Sequence, residues 1–285
     1  MIDFNRGEEK LNKFTGSERK TTILYENEIY LIKLPDPIRD VKNTLSYMNN
    51  QFSEHIGCCI IRACNLNAQE TVLGFLTDIN GKSKVVVGCK DFTQDGSTLY
   101  EFSKLAHQVL VDGALDATIE NVYNAIKRSK LIPDKTSIIN GFWDMFVLDA
   151  LLGNPDRHFD NWGVLEKEGK ITFAPVYDCG SSLGALLDDR KMDRLLQDGT
   201  AFKNQEFNVT SCYSMQGKRI FYHEIFKRPP KDLVNAIQRT IPGIDMESVS
   251  DIVNSVSSIS DTRKNYLIRA IGLRYREILV PALRR

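Results

Sequence analysis

Residues 21–34, "TTILYENEIYLIKL", alternate between apolar and polar positions, with Ile23, Tyr25, Ile29 and Leu31 among β-branched, aromatic and aliphatic residues. Two strands joined by a turn at Glu26-Asn27-Glu28 are predicted, ended by Pro35 and Pro37. The period then changes. Over 51–64, Phe52, Ile56, Cys59 and Ile60 fall at helical spacing, and Asn65 is a plausible stop. Strand character returns in "TVLGFL" and "VVVGCKDF", with "DINGKSK" holding the turn between them. An antiparallel sheet of five strands or fewer, with one helix packed on it, accounts for residues 1–92.

Beyond "TQDGS" the pattern becomes helical over 100–112, 118–130 and 136–152, and the last of these ends at Gly153, a good helix stop. The stretch "WGVLEKEGKITFAPVYD" predicts strand, turn and strand around Glu168-Gly169. From about 186 onward the chain reads as helices and loops, with the strongest periodicity in 231–240 and 263–284. The fold class is α+β. Two lobes are expected: a small β-rich one over 1–93 and a larger, mainly helical one over 94–285. A connector near 91–97 joins them, and the cleft between them is the expected place for a ligand.

Composition narrows the function classes. The chain is 42% hydrophobic and 26% charged, ordinary for a globular protein, and its formal net charge is zero. That balance lacks the basic stripe of a nucleic-acid binder, so no nucleic-acid partner is expected. No run reaches the roughly 18 apolar residues of a membrane helix, and the N-terminal "MIDFNRGEEKLNKF" has no hydrophobic core of a signal peptide. Six cysteines without a C-x-x-C pair read as buried free thiols in a reducing compartment, with the cytoplasm as default.

Against this background the segment "LLGNPDRHFDNWGVL" is unusual, because Asn154, Asp156, Arg157, His158, Asp160 and Asn161 stand between two apolar runs. Asn161 follows Asp156 by five residues, and Asp178 ends an apolar strand seventeen further on. Such oxygen donors suit Mg²⁺, which is held by one or two protein groups plus substrate phosphates. Protein kinases divide the labour this way: a catalytic Asp, an Asn five residues later on metal, and a second metal Asp after a hairpin. Here "DCG" keeps the Asp and Gly of D-F-G without the Phe. An Asx-turn that merely satisfies backbone groups is the bland alternative for "NPD".

The other half of a kinase site is legible in the small lobe. Lys33 lies in a strand among apolar neighbours, and Glu54 follows on the predicted helix, where it would hold the lysine. A buried, unpaired lysine is costly, so a partner is expected; a lysine snorkelling at a sheet edge is the alternative. Ahead of the hairpin, "FTGSERKT" offers Gly16 and Ser17 in a polar turn suited to presenting backbone N–H groups to phosphates.

Together these residues resemble the HipA-like serine/threonine kinases. Their motif N-x-D-x-H-x-x-N is complete here as Asn154, Asp156, His158 and Asn161. The likeness extends over about 14–280, through "GSERKT", "YLIKLP", Glu54 and Asp178, and is closest to the short CtkA-like, cell-translocating branch. It implies a two-lobe protein-kinase-like fold, ATP and Mg²⁺, and a protein substrate. Asp156 is then the base or orienter of the acceptor hydroxyl, and Asn161 and Asp178 hold Mg²⁺. Lys33 holds the α- and β-phosphates, with Glu54 holding Lys33, and backbone groups near Lys90, Asp91 and Phe92 receive adenine. His158 braces the loop, with phosphate contact as a lesser role.

The resemblance further implies an antitoxin or regulatory partner, and leaves secretion open as a property of the branch. HipA toxins carry an additional N-terminal domain that has no counterpart here, and their regulatory serine is replaced by Lys13, Phe14 and Thr15; Ser17 and Thr21 are the substitute autophosphorylation candidates. Three other readings stand beside it. "DRHFDN" is similar to the D-R-H-x-x-N loop of phosphoinositide kinases; Asp156, His158, Asp160 and Asp178 could be ligands of a metal-dependent hydrolase; a pseudokinase would keep the fold as a scaffold.

Overall fold

The computed structural model describes residues 1–11, 20–35, 48–78, 80–110 and 116–284. The N-terminal part contains β1 (Ile2–Asp3), β2 (Glu8–Lys10), β3 (Lys20–Tyr25), β4 (Glu28–Lys33), α1 (Asn50–Ala63), β5 (Thr71–Thr77) and β6 (Ser83–Lys90). They form a six-stranded sheet in the order β1-β5-β6-β4-β3-β2. The β3–β4 hairpin turns on Glu26 and Asn27, whose φ values of 49° and 65° give the left-handed pair that matches strand twist. Lys33, at the end of β4, is in register with Lys20 of β3 and Val87 of β6.

The sheet is larger than the sequence predicts, and one of its pairings is parallel, β1 with β5. The reason is an N-terminal segment too short to show periodicity. It is held by Phe4, which is 1% exposed and meets Tyr25 and Tyr30 edge-on at 6.0 and 5.6 Å. A Cβ at Gly74 or Gly88 would come within 2.5 or 2.4 Å of that ring, so both positions need glycine for close approach. Phe4, Ile23, Ile32 and Val86 make a small core on this face of the sheet. Phe4→Ala is expected to cost about 3–5 kcal/mol. Urea unfolding should show the midpoint fall at an unchanged slope; a loss below about 1 kcal/mol would mean that the segment does not cap the sheet.

On the opposite face, Leu31, Leu73, Val87 and Cys89 pack with Phe52, Ile56 and Ile60 of α1, and the same core continues into the helical part. That part comprises β7 (Thr98–Glu101), α2 (Phe102–Val109), α3 (Ile119–Arg128), α4 (Lys135–Leu152), β8 (Gly163–Lys167), β9 (Lys170–Phe173), α5 (Asp189–Gln197) and α6 (Gly199–Phe207). It continues through β10 (Thr210–Met215), β11 (Lys218–Phe221), α7 (Tyr222–Ile225), α8 (Lys231–Thr240), α9 (Met246–Ser255), α10 (Asp261–Arg274), one π-helical turn at Tyr275–Leu279 and α11 (Val280–Leu283).

α4 is the central rod: Phe142, Trp143, Met145, Phe146, Leu148 and Leu151 are all buried. Trp162, just beyond the polar loop, stacks on Phe102 with ring centroids 4.0 Å apart.

Two elements depart from the sequence reading. The helical segment expected at 100–112 begins at Phe102, because Thr98–Glu101 pair with β8 to form a three-stranded sheet, β7-β8-β9. The region from 186 also contains a hairpin, β10–β11, turning on Gln216 and Gly217 at φ 51° and 74°. Its strand "TSCYSM" alternates too weakly to announce itself. Among the described residues no helix is long and apolar enough to cross a membrane.

Candidate active site

The polar loop follows α4, which stops at Gly153 (φ 65°) in the left-handed conformation that closes a helix. Arg274 of α10 secures this end: its Nε donates to Leu151 O at 2.8 Å while its Nη1 meets buried Glu206. Asn154 comes next and is wholly buried. Its amide group donates to Asp149 Oδ1 at 2.8 Å, its Oδ1 accepts the Asp156 amide at 3.1 Å, and its carbonyl accepts the Tyr222 hydroxyl at 2.6 Å. The Asx-turn is therefore real, and its product is a fixed Asp156.

Arg157, 1% exposed, pairs through Nε and Nη2 with Asp149, 0% exposed, at 3.0 Å. Its remaining hydrogens go to Asn161 O at 2.8 Å, Tyr177 O and Cys179 Sγ. Burial alone would lower the guanidinium pKa; Asp149 and the Cys179 sulfur outweigh it and keep the group charged. One cation thus ties α4, the polar loop and the segment leading to Asp178 into a unit. The same segment is fixed to the α1–β5 connection by Val176 N to Asn67 O and Gln69 N to Val176 O, both 2.8 Å.

That double tether brings Asp178 to the small lobe. Its amide donates to Glu54 Oε1 at 3.0 Å, and Lys33 Nζ lies 2.7 Å from Asp178 Oδ1 and 3.5 Å from Glu54 Oε2. Lys33 and Glu54 are buried, whereas 27% of the Asp178 side chain is exposed. Burial pushes the Asp178 carboxyl up, but Lys33, then Arg157 and His158, more than reverse this and its pKa is lowered. Asp178 also has φ 61°, a conformation that a non-glycine residue holds only where its surroundings impose it. Cys179 turns inward beneath α1, where a Cβ on Gly57 would meet its Cβ at 2.8 Å. Its neighbour Cys58 is kept a thiol, first by the hydrogen bond with Cys179 and then by burial.

Asp156 is half exposed at 49%, with Oδ2 accepting the Ser181 hydroxyl at 3.0 Å and Oδ1 3.9 Å from His158 Nε2. His158 accepts the Asp160 amide at Nδ1 (3.3 Å), which makes it a brace of the loop. Asn161 gives its NH₂ to Asp156 O at 2.8 Å, leaving its side-chain oxygen unpaired among the described residues. Formally the centre sets Lys33 and Arg157 against Glu54, Asp149, Asp156 and Asp178, an excess of negative charge. A hard oxygen pair, Asn161 Oδ1 and Asp178, beside uncompensated negative charge fits Mg²⁺. The four-ligand hydrolase site does not form: among the described residues no three His, Cys, Asp or Glu side chains gather as a metal cage.

Most site residues predicted from the sequence are thus brought together: Lys33, Glu54, Asp156, His158, Asn161 and Asp178. Lys90 is engaged elsewhere. Its amide donates to Glu70 O at 2.8 Å, its carbonyl accepts from Gln69 at 3.2 Å, and its side chain pairs with Glu28 at 2.8 Å. The Asp91 amide likewise goes to Ile29 O at 2.8 Å. The Phe92 ring, in the connector, lies 6.1 Å from the ring of Tyr177, the neighbour of Asp178. Gly16 and Ser17 lie outside the described residues; Thr21 is within them, its hydroxyl bonded to Glu9 at 2.7 Å. Three participants escaped the sequence reading: Asp149, Tyr222 and Ser181. Only Asp149 left a signal, as a lone carboxylate in the apolar run "FVLDALL".

The family description HipA-like C-terminal domain matches residues 13–241. This chain belongs to the HipA-like family. It is 32% identical over 287 residues to serine/threonine-protein kinase CtkA of Helicobacter pylori (strain J99 / ATCC 700824), covering 98% of this chain and 86% of CtkA. The crystal structure of a Helicobacter pylori proinflammatory kinase CtkA superposes with a TM-score of 0.91 at 32% identity, over 100% of this chain and 97% of that one. The HipA of Shewanella oneidensis MR-1, solved with HipB and operator DNA, shares the fold at a TM-score of 0.57 and 10% identity, over 98% of this chain and 68% of that one. The two-part α+β architecture is that of the HipA-like kinases, and this chain is a kinase of the HipA-like type.

Proposed function

We propose that this HipA-like kinase transfers the γ-phosphoryl group of ATP, with Mg²⁺, to a serine or threonine hydroxyl of a protein. The observation that carries the reading is the meeting of Lys33, Glu54 and Asp178 within 3.5 Å, beside the pinned Asp156 and Asn161. Asp156 orients the acceptor hydroxyl and receives its proton as that oxygen attacks the γ-phosphorus and the bond to ADP breaks. Lys33 meets the α- and β-phosphates, and Glu54 keeps the ammonium in place. Asn161 and Asp178 would hold Mg²⁺, which when bound neutralises phosphate charge. Gly16 and Ser17 would offer backbone N–H groups to the phosphates, and Phe92 would border the adenine. The two parts divide the work: nucleotide binding over 1–93, catalytic loop and substrate side over 94–285.

The partner expected besides the substrate is a protein, in an antitoxin-like or regulatory role, since a net charge of zero offers no footprint for nucleic acid. The test is labelled ATP with Mg²⁺ and a generic protein acceptor, run beside Asp156→Ala. Label on the wild-type protein or the acceptor, reduced about 10²- to 10⁴-fold in the variant, is the expected result. Equal labelling by both would remove Asp156 from the reaction; Mg-ATP binding without any transfer would revive the scaffold.

A further inference from the structure

Asp156 already holds a hydroxyl. Ser181, three residues past Asp178, donates to Asp156 Oδ2 at 3.0 Å, the distance at which a kinase base must hold its acceptor. Among the described residues it is the one hydroxyl bonded to that carboxylate. We infer that Ser181 is an intramolecular phosphate acceptor whose modification shuts the site to outside proteins. This inference rests on the kinase reading above.

The local structure holds Ser181 there. Gly180 lies against α1, where a Cβ would stand 3.4 Å from Glu54 Oε2, so the turn that carries Ser181 abuts the Lys33–Glu54 pair. After it, Ser182 donates its amide and hydroxyl to Cys179 O at 3.0 and 2.7 Å, and Leu183 N donates to Leu152 O at 3.2 Å. Ala185 O then accepts Asn49 N at 2.9 Å, at the start of α1. The segment is bound on one side to the helix that carries Glu54 and on the other to the helix that leads to Asp156. Ser182 supplies the contrast: it is wholly buried, its hydroxyl spent on a backbone carbonyl.

The step balances with ATP as the phosphate source. Ser181 Oγ attacks the γ-phosphorus, the γ-phosphorus–oxygen bond to ADP breaks, ADP leaves, and the serine proton passes to Asp156 Oδ2. The product is a phosphoserine carrying about −1.5 to −2 charge at neutral pH, placed against Asp156 and occupying the position an outside hydroxyl needs. Because both reactants belong to one chain, labelling should be first order in protein and indifferent to dilution.

The experiment is phosphopeptide mapping after incubation with Mg²⁺ and ATP, over about a hundredfold range of protein concentration, with a generic acceptor protein in parallel. Phosphate on Ser181 and not on Ser182, with the same half-time at every dilution, is expected. Ser181→Thr should carry phosphothreonine, and Ser181→Ala should lose the modified peptide. Ser181→Glu, with a fixed charge at this position, should label the outside acceptor about tenfold or more slowly than Ser181→Ala. Labelled acceptor with Ser181 unmodified would overturn the inference and leave the kinase reading standing. Labelling of Ser181 that slows on dilution would overturn the intramolecular route. No label on any protein would remove both readings.

Discussion

Asp178→Asn is expected to lower phosphoryl transfer about 10³-fold while the protein stays folded. The substitution keeps the size of the side chain, and asparagine tolerates the left-handed backbone recorded there, φ 61°. What disappears is one negative charge, 2.7 Å from Lys33 Nζ. Lys33 then keeps Glu54, and the oxygen pair proposed for Mg²⁺ loses its only carboxylate. The loss should therefore show as a raised Mg²⁺ requirement and a lower kcat, with an unchanged circular-dichroism spectrum. Wild-type turnover in the variant would take Asp178 out of the metal site and leave its close approach to Lys33 without a purpose.

A second measurement on the same variant isolates the electrostatics. The wild-type Asp178 carboxyl is partly buried, which raises its pKa, yet the cations around it bring the net shift below the ordinary value. A depressed carboxylate contributes stability that is complete above its unfolded pKa, about 3.9, and is lost as pH falls through the folded value. The stability difference between wild type and Asp178→Asn should thus be full at neutral pH and close below about pH 4. A difference independent of pH would mean that the ion pair with Lys33 is not what holds Asp178.

The residues proposed to carry the chemistry were legible because each breaks a local pattern. Lys33 interrupts an apolar strand, Asp178 ends one, and Glu54 sits in a helix whose period fits burial, so each charge asked for a partner. Spacing then linked Asp156 to Asn161. What stayed hidden depends on distant chain or on side-chain geometry. β1 is two residues long and exists only because β5 lies beside it. Asp149 reads as one polar position in a helix until Arg157 is placed eight residues later. Ser181 looks like any loop serine, since nothing in "DCGSSLG" distinguishes it from Ser182. The connector shows the converse case. Lys90 stands at the expected place for adenine contacts, yet its amide is committed to the Glu70 carbonyl and its carbonyl to the Gln69 side-chain amide. Strand spacing alone could not tell a hydrogen-bonded edge from an open one.

Arg157→Met is expected to destabilise the protein by about 3–5 kcal/mol, because it leaves Asp149 buried without its counter-charge. Stability alone would not separate a structural residue from one that shapes the site, so the double variant Asp149→Asn/Arg157→Met, which keeps an Oδ1 acceptor for the buried Asn154 amide, is the informative one. Removing both charges together avoids the stranded carboxylate, and most of the lost stability should return. Turnover should not return with it. Without the guanidinium, the carbonyls of Asn161 and Tyr177 lose the donor that places Asn161 and Asp178, the residues proposed to hold Mg²⁺, relative to each other. A misplacement of about 1 Å costs on the order of 10²-fold in a reaction driven by positioning. The double variant is therefore expected to unfold near the wild-type urea midpoint and to fall at least that far in kcat. Recovery of both stability and kcat would show that α4 and the loop hold the site without Arg157. Recovery of stability alone would place Arg157 as the residue that converts a buried ion pair into the geometry of phosphoryl transfer.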